Sequence, residues 1–234
     1  MTTKRHSRDT SKAKGASQVE GHAASHRGGS LDVDERGLGF ERVVFFSDAV
    51  FAIAITLLAL EIHVGEIADA LIDAELPRKL LEVWPQVLGY AIGFSVIGAF
   101  WLSHHTLFSY IKRYDRRLIW LNLFFLATIA ISPFPTTVIG EYGFHQPAQI
   151  FYALCVGVTG LAKEILWWYA SYNHRLLDPA LDAQTIRQVT LRGLIVPLAF
   201  LLSIPFTWLG PVPPIVLWIL IPFVSSALTR RTGS

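Results

Sequence analysis

Six stretches of about 20 mostly apolar residues each are spread along this chain of 234 residues. They leave few folds open. A helix of that length crosses roughly 30 Å of hydrocarbon, and against lipid every backbone polar group must be satisfied within the segment, so the runs must be helices. They fall at residues 40–64, 83–110, 118–139, 147–169, 191–209 and 213–228. The reading is an all-α membrane protein with six transmembrane helices per subunit. Charged residues make up 16% of the chain, against about 25% in soluble domains, and many of those lie before residue 43.

The loops set the orientation. Lys and Arg collect before the first span, in the second loop (Lys112, Arg113, Arg116, Arg117), in the fourth (Arg175, Arg187) and after the sixth span (Arg230, Arg231). The alternate loops at 140–146 and 210–214 hold neither residue, and the loop at 66–79 is mainly acidic. Basic loops favour the cytoplasm, so the chain is expected in the cell membrane as a multi-pass protein with both termini cytoplasmic. Trp84, Trp167, Trp168 and Trp208 fall near span ends, where aromatic belts sit. Ile67, Ala70, Leu71 and Ala74 have helical spacing among acidic residues. They predict a short interfacial helix outside the membrane, with a flexible loop as the alternative.

Three regions follow: a basic cytoplasmic tail at 1–37, a six-helix transmembrane domain at 38–229 and a short cytoplasmic tail at 230–234. The first tail has almost no large apolar residues and is expected to be disordered; it lacks the features of a secretory signal peptide. Its charge could attract anionic membrane lipids. A net charge of +2 gives no case for nucleic acid as a partner, and one cysteine, Cys155, excludes an intrachain disulfide.

Polar groups within spans are costly and face protein or water. Arg42 opens the first span, followed by Phe46, Ser47 and Asp48. Asp48 needs donors from a neighbouring helix or serves as a proton or ion site. His104 and His105 point about 100° apart on a helix, so they cannot comfortably share one metal ion. Hydrogen bonds from them towards Asp48 or Asn122 are expected instead. Lys163 and Glu164 could pair or snorkel and receive no function. Beyond Asp48, Ile53, Leu57 and Leu60 form a bulky stripe with Thr56 beside it. Spacing alone leaves that stripe open to core, lipid or a pore. Asp48, Ala52, Ile55 and Ala59 form a mostly small stripe suited to close helix packing.

Arg42-x-x-x-Phe46-Ser47-Asp48, continuing Ala-Val-Phe-Ala-Ile-Ala-Ile-Thr-Leu-Leu, resembles the first-helix signature of the lysosomal-type potassium channels, the transmembrane protein 175 family, in its prokaryotic form. Phe100-Trp101-Leu102-Ser103-His104-His105, Leu121-Asn122-Leu123 and Pro133-Phe134 extend the resemblance. It covers residues 40–139 well; the last three spans match in length and hydrophobicity only. The resemblance implies a homotetramer with a central pore lined by the first helix, passing potassium without a carbonyl filter. It places the pore constriction at Ile53, Leu57 and Leu60, with Thr56 near the ion path as a selectivity candidate. It implies that Arg42, Phe46, Ser47 and Asp48 tie the first helix to its neighbours, with His104, His105 and Asn122 in the same interhelical polar network. Potassium is then a permeant ion, and no cofactor or resident metal is expected.

The chain has no Thr-Val-Gly-Tyr-Gly filter. The alternative function is a proton-coupled secondary transporter using Asp48 and His104/His105, although no internal repeat of the transporter kind is visible. An enzyme is not expected. There is no nucleophile and base at recognisable spacing and no Gly-rich phosphate loop, so no catalytic residue is proposed.

Overall fold

The computed structural model describes the backbone of residues 39–230 and the side chains of residues 39–221. The tail at 1–37 and residues 231–234 of the second tail lie outside the described residues. The chain divides at Val44: up to that point the described part is the opening of the first helix, and the packed body begins at Phe45.

Helix α1 runs Gly39–Leu60. A 3-10 turn (Asp69–Leu71) leads into α2 (Ile72–Glu82), and α3 (Trp84–Tyr110) follows almost without interruption. Next come α4 (Arg116–Ala130), α5 (Pro133–Tyr142) and α6 (Gln146–Ser171). The chain finishes with α7 (Ala183–Gly193), α8 (Ile195–Ser203), a 3-10 segment (Ile204–Leu209) and α9 (Val212–Arg230). All of this is helical, and no strand occurs among the described residues.

Five helical stretches are long and apolar enough to cross a membrane: Gly39–Leu60, Asp69–Tyr110, Arg116–Tyr142, Gln146–His174 and Ala183–Leu209. The last expected span is α9, whose described apolar part is Val212–Ile221. The protein is therefore a multi-pass membrane protein of five to six apolar helices. Arg230, assigned to the tail from sequence, is the last residue of α9.

Several boundaries differ from the sequence reading for local reasons. The expected third span is two helices, because Pro133 has no N–H to donate and its ring obstructs the turn before it. The expected fifth span begins earlier, where the Asp182 side chain accepts from the Thr185 N–H at 3.3 Å and caps α7. The expected interfacial helix forms further along, from Asp69 to Glu82, and buries no residue. Trp167 is no belt residue. It is 1% exposed, and its indole donates to Thr190 at 2.8 Å, whereas Trp84, Trp168 and Trp208 are exposed as belt residues are.

α6 is the hub, packing against α4, α5, α7 and α8, while α3 pairs with α5. Small residues allow these approaches. A Cβ on Gly89 would lie 2.7 Å from the Gly140 Cα, and one on Gly93 would lie 2.6 Å from the Thr136 methyl. The α3–α5 seam is thus a pair of small-xxx-small stripes facing each other. On α6, a Cβ at Gly160 would lie 2.5 Å from Pro197 of α8. Phe51, Phe125, Tyr152, Phe200 and Trp218 fill the core between helices.

Candidate functional site

The first helix has two faces with different neighbours. Ser47, Phe51, Ala54 and Leu58 are buried within the subunit, at the i, i+4, i+7, i+11 spacing of one helical stripe. Phe51 packs against His104 (ring centroids 5.6 Å apart) and Phe125 (5.9 Å). On the opposite side Ile53, Leu57 and Leu60 are 59%, 39% and 75% exposed, and Thr56 is exposed beside them. The Thr56 hydroxyl donates to the Ile53 carbonyl at 2.9 Å, which leaves its oxygen lone pairs facing outward. The small stripe read from the sequence lies on the flank. Asp48 and Ile55 are half-buried there, while Ala52 and Ala59 are exposed. Within one subunit the close-packing stripe is therefore the Ser47–Leu58 one, because it carries Phe51 and Leu58 to fill the core.

A buried polar chain holds this helix. Asn122 of α4 donates through Nδ2 to Ser47 Oγ at 2.9 Å. Its Oδ1 lies 2.9 Å from His104 Nε2 on α3, so the imidazole donates and the amide accepts. Three helices are joined through one side chain, and all three groups are at most 1% exposed. His104 is further enclosed by Phe108 and Phe125, stacked at 4.3 and 5.6 Å. Asp48 receives the Trp101 indole N–H at 2.9 Å.

Of the residues singled out from sequence, Ser47, His104 and Asn122 meet directly. Asp48 is joined to α3 through Trp101 rather than a histidine. His105 is exposed and packs beside Trp101 at 5.8 Å between ring centroids. Phe46 is 53% exposed, and Arg42 is exposed in the opening turns of α1.

Two further polar clusters join helices: the Lys163–Glu164 pair, offered by the sequence as the alternative to snorkelling, and a loop-end cluster that escaped the sequence reading. Lys163 Nζ donates to Ser103 Oγ at 2.7 Å and pairs with Glu164 Oε1 at 2.8 Å, with side chains 3% and 11% exposed. This ties α6 to α3 one residue from His104, and Gly193 of α7 leaves room for the Glu164 carboxylate. Adjacent opposite charges inside an apolar run were its signal. The second cluster closes the loop ends. Asp115 caps α4 by accepting from the Leu118 N–H at 2.8 Å, and also accepts from Tyr169 (2.6 Å) and Arg175 (2.7 Å). Arg175 donates to the Tyr169 hydroxyl as well. Partial burial pushes the Asp115 carboxyl up, but the donors from Tyr169, Leu118 and Arg175 outweigh it and hold it below its ordinary range. No cluster of His, Cys, Asp and Glu able to hold a metal ion occurs among the described residues.

A membrane-spanning helix carries bulky apolar side chains outward and is fixed inward by a buried polar chain. That arrangement defines a polytopic helical membrane protein whose first helix faces something other than its own subunit. Residues 42–133 match the family model described as the endosomal/lysosomal potassium channel TMEM175. A potassium channel of Streptomyces collinus is 41% identical over 156 residues, covering 64% of this chain and 74% of that one. A potassium channel of Chamaesiphon minutus is 33% identical over 176 residues, covering 72% and 86%. The endosomal/lysosomal proton channel TMEM175 of Danio rerio is 38% identical over 147 residues, covering 59% of this chain but 28% of its own length. Among solved structures, a lysosomal potassium-selective channel TMEM175 homologue from Chamaesiphon minutus superposes with a TM-score of 0.70 at 26% identity, covering 81% and 97%. The chain belongs to the TMEM175 family of ion channels.

Proposed function

We propose that this protein is a passive potassium-selective channel assembled from four copies, with α1 of each copy lining a central pore. The carrying observation is the outward stripe on α1. Ile53, Leu57 and Leu60 project from a helix whose other face is locked to α3 and α4. Rings of these residues would form a narrow apolar constriction that gates by dewetting. Thr56, with its hydrogen turned to the backbone, offers oxygen lone pairs that replace part of the hydration of a passing cation. The polar chain through Ser47, Asn122 and His104, with the Asp48–Trp101 bond, sets the rotation of α1 and does not touch ions. The similarity to proteins named potassium channels supports this reading. The distribution of Lys and Arg supports a cytoplasmic position for both termini.

Single-channel recording of Ile53→Ala and Leu57→Ala tests the constriction. Each variant should raise unitary conductance or basal leak. Unchanged currents in both would move the narrowest part of the pore off this stripe.

A further inference from the structure

A cavity of about 320 Å³ lies between α3, the α4–α5 break and α6, within the roughly 300–1,000 Å³ range of small-ligand pockets. Five hydroxyls line it, Tyr152 among them, and the four of Ser and Thr each donate back to a carbonyl of their own helix turn. Thr128 bonds Phe125 at 2.6 Å, and Ser132, Thr136 and Thr159 bond Thr128, Ser132 and Cys155 at 2.9 Å each. Those four protons are not available to a guest, and most of the remaining lining is apolar, including Val96, Ile97, Phe100, Ile131 and Phe151. Left empty, its lining would lose dispersion contacts on one side.

The rim shows what fills it. Ile131, Leu154 and Val158 edge the cavity and are 62%, 45% and 51% exposed. These residues lie well inside the ends of the Arg116–Tyr142 and Gln146–His174 spans, at a depth where the surrounding phase is hydrocarbon. We propose that this cavity binds one acyl chain of a membrane phospholipid, inserted from the outer face beside the helix break. The site is separate from the outward stripe of α1, and the proposal stands whether or not that stripe lines a pore.

The test reconstitutes the full chain in phosphatidylcholine carrying a photoreactive diazirine at mid-chain, followed by irradiation and peptide mapping. Adducts at Ser132 and Cys155–Thr159 should exceed those at the exposed Leu102 and Leu161 by about tenfold, the factor that a modest site preference gives. Thr159→Phe and Cys155→Phe should abolish this excess while labelling of Leu102 and Leu161 persists. Equal labelling of cavity and outer residues in the wild-type protein would overturn the proposal without any variant. So would cavity adducts that persist in both filled variants, or cavity residues cross-linking to a second copy of the chain instead of to lipid.

Discussion

Asn122 is the residue on which the first helix depends most. Its amide gives Ser47 a donor and His104 an acceptor, so removing it breaks two buried interhelical bonds at once. Interhelical hydrogen bonds in membranes average about 0.6 kcal/mol. Asn122→Leu is therefore expected to lower the thermal midpoint of the purified protein clearly more than Ser47→Ala, which breaks only one of the two bonds. Equal losses would mean that the chain does not act through Asn122. Asp48 separates charge from hydrogen bonding. Asp48→Asn keeps an acceptor for the Trp101 indole and should assemble and conduct, while Asp48→Ala should reduce the yield of folded oligomer. A folded Asp48→Ala protein that had merely lost ion preference would put the carboxylate in the ion path.

At the scale of elements, close approach and loop closure decide the architecture. α3 and α5 touch backbone to backbone where Gly89 faces Gly140. Overpacking a core by added methylenes costs typically about 1–3 kcal/mol, and here the obstacle is backbone with nowhere to move. Gly89→Leu should abolish folded protein in a size-exclusion assay, whereas Gly98→Leu, where an added Cβ meets nothing within 4 Å, should be tolerated. The Asp115 clasp makes the loop ends sensitive to acid. Its carboxyl is held below its ordinary value, so its contribution is complete above the unfolded value of about 3.9 and is lost as pH falls through the lower folded value. Protection of the amides at residues 111–118, relative to their intrinsic exchange rate at each pH, should fall across that acid window in the wild-type protein. In Asp115→Asn that protection should show no such step.

The same elements show what the sequence makes legible. The spans follow from run length alone, since lipid forbids anything but helices there. His104 and Asn122 stand out because polar side chains in apolar runs need partners, and three-helix proximity supplies them. The inward stripe of α1 was harder to see: Ile53, Leu57 and Leu60 are as apolar as Phe51 and Leu58, and only packing distinguishes a core face from an outward one. Trp101 as the partner of Asp48 is hidden for another reason, since an indole reads as an ordinary membrane aromatic. The Asp115–Tyr169–Arg175 clasp joins residues 54 and 60 positions apart, a distance over which spacing carries no signal.

For the whole molecule, one helix has an inner face locked by hydrogen bonds and an outer face proposed to meet ions in an assembly of four. Relatives in vertebrates are named proton channels, so proton permeation belongs in the same measurement as potassium over sodium. The most direct test is the reversal potential of purified protein in planar bilayers under opposed potassium and sodium gradients, repeated under a pH gradient. The account predicts a reversal near the potassium equilibrium potential, with unitary currents far above what a conformational cycle on the microsecond-to-second scale can carry. A reversal potential that follows the proton gradient would contradict it and point to a proton channel, and flux without resolvable unitary currents would contradict it and point to a proton-coupled transporter using Asp48, His104 and His105.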